Sequence, residues 1–242
     1  MTTITTRTVN LSVIMPVLTD YIRDVISPIS STTRTSTITI PSDVETDDFL
    51  IVFAANRSYS YIVMDGSWSN ITSPGGASFR AVETLPEDSP PPACTLQTFA
   101  KVLDVTDAGT DLTVSWEISG WTPPDDETIY ATGNHVPILF AVVLKHQLVD
   151  SWDGAIGYNS DFDGDLAMDS FTINTPSIVF YARTVYETAS VDSPVGVTEL
   201  CNHTANGNSL YVGATVKSTS VASWSVDSGT QNVSAWMTFY LV

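Results

Sequence analysis

Histidine can bind metals and act as a general base, and the chain has three histidines, His135, His146 and His203. None of the three lies in an HExxH motif or at the i, i+4 spacing that brings two metal ligands to one side of a helix. The chain also lacks the GxSxG, P-loop and GxGxxG patterns of common hydrolases and nucleotide-binding proteins. We therefore expect a protein that is not an enzyme, with a Ser/His/Asp triad assembled from distant residues as the alternative.

Closely spaced acids form a second group, at Asp161, Asp163 and Asp165 around Gly164. Alternate carboxylates of this kind can wrap a hard cation such as Ca²⁺, which binds six to eight oxygens. The stretch lacks the downstream Glu of an EF-hand loop, and Asp and Gly are also common turn residues. A polar turn is the favoured interpretation, a Ca²⁺ site at the three aspartates is the alternative, and no other cofactor is expected.

Aromatic residues in polar stretches are the third group, and they are Trp121, Tyr130, Trp152 and Tyr158. An exposed ring on a loop can stack on a sugar or anchor a protein contact. These four are therefore candidate ligand-binding residues, with local packing across predicted loops as the favoured interpretation. The other tryptophans occupy repeated strand or turn positions and are expected in the core; they are Trp68, Trp116, Trp224 and Trp236.

The net charge is −18, from 27 acidic and 9 basic residues, and such a field repels nucleic acid and anionic membrane surfaces. We expect neither as a partner. The apolar segment from Val9 to Ile29 is interrupted by Pro16 and three charged residues, which argues against a signal peptide and a spanning helix. Synthesis in a cytoplasm is therefore expected. Cys94 and Cys201 both fall in predicted loops, and whether they form a disulfide stays open.

The body of the chain consists of short apolar or alternating runs separated by Gly, Pro, Asn and Asp. This pattern predicts an all-β antiparallel sandwich. The clearest runs are Ile38–Ile40, Phe49–Ala55, Thr95–Leu103, Leu112–Trp116, Pro137–Lys145, Phe171–Ile173, Ser177–Arg183, Leu210–Lys217, Val221–Val226 and Trp236–Val242.

Residues 1–34 differ from this body and are interpreted as an N-terminal arm. Apolar residues recur there at helical spacing between Pro16 and Pro28, which predicts a short amphipathic helix. Its apolar stripe must be buried, either on the chain's own sandwich or on a neighbouring subunit. In the second case it forms a partner-binding surface of Val17, Leu18, Tyr21, Ile22, Val25 and Ile26.

The sandwich, predicted over residues 35–242, contains two diverged copies of one strand pattern, at about 35–146 and 168–242. Leu50-Ile51-Val52-Phe53-Ala54-Ala55 matches Ser177-Ile178-Val179-Phe180-Tyr181-Ala182, which makes Phe53 equivalent to Phe180. Val114-Ser115-Trp116 likewise matches Ala222-Ser223-Trp224, and Gly66–Ser69 matches Val195–Thr198. Each half alone would expose a whole apolar face, so we expect the two to bury it together in one domain.

Several short motifs occur in a fixed order along these copies. Ile38-Thr39-Ile40-Pro41 and Asp47-Asp48-Phe49-Leu50-Ile51-Val52 look like a "T-I-P … G-D-L-L-V" opening, with Asp47 in the place of Gly. Asp107-Ala108-Gly109-Thr110 looks like "D-A-G-T", and Pro194-Val195-Gly196-Val197-Thr198 like a "P-x-G-W-T" turn. The combination resembles jelly-roll-like sandwich domains of phage virion proteins, which are also found in some bacterial surface proteins.

The resemblance implies a non-enzymatic structural protein of the virion, assembled in the host cytoplasm. Such a protein would be a capsid decoration or tail-associated subunit that binds neighbouring capsid or tail proteins. Repetition in the particle implies a homo-oligomer or symmetric array. The alternative is a carbohydrate-binding adhesin or receptor-binding module, which would use the four loop aromatics on a glycan.

Overall fold

The computed structural model describes residues 17–30, 35–56, 60–64, 79–82, 95–118, 138–145, 152–159, 166–168, 177–186, 195–205, 208–217, 224–226 and 234–241. These residues form one helical turn, α1 (Leu18–Tyr21), one 3₁₀ turn (Val105–Asp107) and fifteen strands. The strands are β1 (Ile22–Ser30), β2 (Thr35–Thr39), β3 (Phe49–Asn56), β4 (Ser60–Met64), β5 (Phe79–Val82), β6 (Thr95–Val102), β7 (Asp111–Ile118), β8 (Ile138–Leu144), β9 (Trp152–Asn159), β10 (Leu166–Met168), β11 (Ser177–Tyr186), β12 (Thr198–Ala205), β13 (Asn208–Lys217), β14 (Trp224–Val226) and β15 (Ser234–Leu241).

The strands build two five-stranded sheets and two smaller ones, and neighbouring strands are antiparallel. The first large sheet has the order β1-β8-β3-β6-β5, and the second has the order β9-β15-β11-β13-β12. The smaller sheets are β2-β7-β4 and β10-β14. The predicted all-β antiparallel sandwich is therefore confirmed.

The strand order is the same in the two halves of the chain. Each strand of the first large sheet has a counterpart in the second: β1 and β9, β8 and β15, β3 and β11, β6 and β13, β5 and β12. The pair β2-β7 corresponds in the same way to β10-β14. This equivalence begins at β1 and β9, upstream of the two half-repeats drawn from the sequence.

The larger core lies between the two five-stranded sheets. From the first sheet it takes one face of β3 and β8, including Phe53 and Phe140. From the second it takes one face of β11 and β13, including Phe180 and Val212. The ring of Phe53 lies 6.1 Å from that of Phe140 and 5.7 Å from that of Phe180, between ring centroids. The two halves of the chain therefore share this core.

A second core covers the opposite face of the first large sheet. Leu50, Val52 and Ala54 of β3 pack there with Ile38 of β2 and Leu112 of β7. Because both faces of β3 and β8 are covered, both strands are continuous apolar runs rather than alternating ones. The seven residues of β8 are all buried.

Among the described residues, three turns use left-handed backbone, at Asp47 (φ 69°), Gly109 (φ 68°) and Gly196 (φ 78°). Asp47 stands in the place of glycine in the opening motif, and Gly109 and Gly196 are the glycines of the "D-A-G-T" and "P-x-G-W-T" motifs. Gly tolerates positive φ because it has no Cβ, and Asp is one of the few other residues that visit this region. At Asp47 the conformation lets its N–H donate to the carbonyl of Leu103, which joins the loop before β3 to the end of β6.

The predicted amphipathic helix is wrong beyond its first turn. Helix is confined to Leu18–Tyr21, and Ile22–Ser30 is strand β1, paired with β8. Ile22, Val25 and Ile26 fit a helical period, but β-branched residues also suit a strand, and the edge of β8 supplies backbone hydrogen bonds that a helix there would leave unmade. The N–H of Lys145 donates to the carbonyl of Tyr21 at 2.8 Å, which starts this pairing.

Candidate functional site

The predicted partner-binding residues do not form one apolar surface. Tyr21 is buried in the core between the large sheets, and Leu18 and Ile22 pack against it. Ile26 packs against the other core. Only Val17 and Val25 are exposed, at 59% and 37%. Ile22 and Ile26 would share one face of a regular strand, but the register shift between Ile22 and Asp24 places them against different cores. The same segment is attached to the sheet through Arg23 and through backbone pairing with β8.

A charged cluster of Arg23, Glu45 and Asp48 holds the beginning of β1. Nε of Arg23 lies 2.5 Å from Oδ2 of Asp48, and its terminal nitrogen Nη2 lies 2.8 Å from Oε2 of Glu45. The Asp48 side chain is fully buried, whereas that of Glu45 is 67% exposed. Burial alone would lower the pKa of Arg23, but the hydrogen bonds and charges of Asp48 and Glu45 outweigh it and raise that pKa.

Asp48 is itself fixed by the loop before β3. Its Oδ2 accepts the N–H of Glu45 at 2.8 Å, and its carbonyl accepts the N–H of Leu103 at 2.7 Å. A carboxylate that is buried and held in this way is costly unless a cation faces it. Arg23 supplies that cation from a different strand. The Arg23 cluster therefore ties β1 to the β2–β3 loop through charge.

The backbone pairing of β1 is less regular than that of its neighbours. Six residues of β1 pair with β8, and the register shifts between Ile22 and Asp24 and again between Ile26 and Ile29. On the other side of β8, β3 pairs through seven consecutive residues with no shift. Pro28 lies inside the second irregularity, where its missing N–H removes a ladder donor. Of the described strands, none pairs with the outer side of β1.

The candidate ligand-binding aromatics are only partly described. Trp152 and Tyr158 lie on strand β9, which corrects the predicted loop: the backbone pairs with Leu241 and Ala235 of β15. Trp121 and Tyr130 lie outside the described residues. The candidate Ca²⁺ ligands Asp161, Asp163 and Asp165 lie outside them as well. The Gly66–Ser69 half of the repeated turn and Cys94 are also outside this part of the chain, so the disulfide question stays open.

Cys201 and His203 lie on strand β12, where the sequence predicted a loop around Cys201. Cys201 is buried as a free thiol, and its Sγ donates to the carbonyl of Leu210 at 3.7 Å. Burial, with the charge of Glu199, raises the pKa of this thiol to about 12, which keeps it protonated and poorly nucleophilic. Nε2 of His203 is buried without a hydrogen-bond partner.

Among the described residues, no group of three or more His, Cys, Asp or Glu could hold a metal.

The residues that carry the attachment of β1 were not identified as a site from the sequence. In the sequence, Arg23 is one of the three charged residues that interrupt the apolar segment Val9–Ile29, and Asp48 is part of the opening motif. The available signal is the position of Asp48 directly before a continuous apolar run, because an acid that is buried there needs a cation.

Comparison with known proteins gave no match. A scan against protein-family models, a search of curated proteins and a search of solved structures each found nothing similar to this chain. Within the described part of the chain, no helix has both the length and the apolar character needed to cross a membrane.

Proposed function

We propose that the chain is a non-enzymatic structural protein of a bacteriophage particle, where it binds neighbouring virion proteins as a capsid decoration or tail-associated subunit. The observation that supports this most is the backbone at Asp47, Gly109 and Gly196. The virion-domain patterns place glycine at these three positions, and the chain adopts positive φ at each of them. Positive φ at these positions is the conformation that glycine permits, and it supports the resemblance on which the proposal rests.

Affinity in an assembly comes from many repeated contacts, each of which can be weak. The net charge of −18 adds long-range repulsion that keeps free copies soluble before assembly.

The test is the location of the chain in particles purified from the phage or prophage whose genome encodes it. We expect peptides of the chain in density-banded particles at a copy number comparable with a capsid or tail protein, and immunogold label at one fixed place. A chain found only in the lysate supernatant would overturn the proposal. A soluble host protein quantified in the same fractions is the control for carry-over.

A further inference from the structure

We propose that the segment Val17–Ser30 is an exchangeable strand, which docks onto β8 of a second copy of this chain as well as onto its own β8. The inference goes beyond the proposed function and does not depend on it, because exchange between copies needs no other virion protein.

Strand β8 would be an unfavourable sheet edge if β1 did not pair with it. Its seven residues are apolar and fully buried, and β3 pairs regularly with its other side. If β1 left, β8 would expose an unpaired backbone along an apolar, regular edge, which is the kind of edge that recruits another strand. A strand must therefore cover β8 in any stable state of the protein.

Strand β1 covers it with an interrupted ladder. Two register shifts and Pro28 reduce the backbone hydrogen bonds that hold β1 to β8. Specific side chains carry much of the attachment instead: Tyr21 fills the core between the large sheets, and Arg23 pairs with the buried Asp48. A segment held in this way can be released without breaking a long regular ladder.

The same side chains decide which segment can return. An occupant of this edge has to bring an aromatic ring to the Tyr21 position and a cation to Asp48, at the spacing of residues 21 and 23. Residues 17–30 of a second copy meet both requirements, and they rebuild every contact that the chain's own segment makes. Exchange of an identical element between copies therefore costs little free energy. The second copy is the occupant that the Arg23 cluster and the Tyr21 position select.

The test uses register partners as cysteines. Ile26 lies opposite Ala141 in the β1–β8 pair, and directly opposed residues have the Cα separation that a disulfide requires. Full-length Ile26→Cys and Ala141→Cys proteins are purified separately, mixed at rising concentration and oxidised. Exchange predicts a covalent dimer on a non-reducing gel in which mass spectrometry links position 26 of one chain to position 141 of the other.

Two controls make the outcome decisive. Val102→Cys, at an exposed residue, is mixed with Ala141→Cys to measure random thiol collision and the background from Cys94 and Cys201; we expect at least a tenfold lower dimer yield. The double variant Ile26→Cys/Ala141→Cys shows that the paired cysteines can bond, and Ile29→Cys with Leu139→Cys repeats the test at a second register pair. Bonds that form only within one chain, with mixed dimers at the control yield, would overturn the exchange. That result would leave the particle experiment untouched.

Discussion

The ring of Phe53 packs against the ring of Phe180, with centroids 5.7 Å apart and ring planes inclined by 46°. The two residues are equivalent in the sequence repeat, and they lie on β3 and β11, the central strands of the two large sheets. The two copies of the pattern therefore pack on each other through the same strand. Each copy supplies the cover for the apolar face that the other would leave exposed.

Truncation of either ring should destabilise the whole protein. We expect Phe53→Ala and Phe180→Ala each to lower the free energy of unfolding by about 3–5 kcal/mol, because both rings are fully buried. The double variant should lose less than the sum of the two, since the rings contact each other. Urea unfolding measures these values, with the exposed Val195→Ala as the control. Strictly additive losses would argue against direct packing between the halves.

Arg23 pairs with one buried and one exposed carboxylate, so the contributions of the two ion pairs to stability can be compared. Arg23→Ala should cost about 3–5 kcal/mol of stability, because it leaves Asp48 buried without a cation. Glu45→Gln should cost no more than about 1 kcal/mol, because Glu45 is exposed to solvent. The double variant Arg23→Met/Asp48→Leu should recover much of the first loss. Equal effects of Arg23→Ala and Glu45→Gln in urea unfolding would contradict the burial of the Asp48 pair.

The left-handed turns predict opposite effects at two positions. A Cβ at Gly109 would meet no atom within 4 Å, so Gly109→Ala should lose about 1–2 kcal/mol through backbone strain alone. Asp47→Gly removes strain of the same kind and should stabilise by up to about 1 kcal/mol, less the entropy that glycine adds to the unfolded chain. Ala108→Gly, beside the turn, is the matched control. A stabilising Gly109→Ala would refute the assigned backbone conformation.

Stability should fall in alkaline solution. The pKa of Cys201 rises from 9.0 to about 12 on folding, and that of Tyr181 rises from 10.0 to about 12, in both cases chiefly through burial. Both groups are neutral in either state at lower pH. Above the unfolded values the unfolded chain releases protons that the folded protein keeps, so stability is lost until the folded values are reached.

The contribution of Cys201 to the loss of stability at alkaline pH can be measured with one variant. Each group can contribute a slope of up to about 1.4 kcal/mol per pH unit between its two pKa values. Cys201→Ala removes one slope while adding a cavity cost that is independent of pH. Urea unfolding from neutral to alkaline pH should therefore show a flatter profile for Cys201→Ala than for the parent. Parallel profiles would mean that folding does not raise the pKa of this thiol.

The fold could be predicted where the strands are buried on both faces. Continuous apolar runs form Phe49–Ala55 of β3, all of β8 and Ile178–Ala182 of β11, and no helical amphipathic pattern competes with that interpretation. β1 was predicted as a helix because Tyr21, Ile22, Val25 and Ile26 satisfy a helical period, and only the edge of β8 decides between helix and strand. β9 was predicted as a loop because its glycines weaken strand propensity, which pairing with β15 overrides.

The candidate site was less predictable than the fold. The apolar residues of the arm were recognised, but their separation onto two cores follows from register shifts in β1 that no sequence pattern marks. The partnership of Arg23 and Asp48 joins residues 25 positions apart, and it exists only because β1 and the β2–β3 loop meet at one end of the sheet.

The shared core between equivalent strands is tested most directly by native-state hydrogen exchange of β3 and β11. If the two halves form one cooperative core, the amides of Ile51–Ala54 and Ile178–Ala182 exchange only through global unfolding. We then expect one opening free energy for both strands, equal to that from urea unfolding. An opening free energy several kcal/mol lower in one strand than in the other would contradict the account, because it would mean that one half unfolds while the other stays folded.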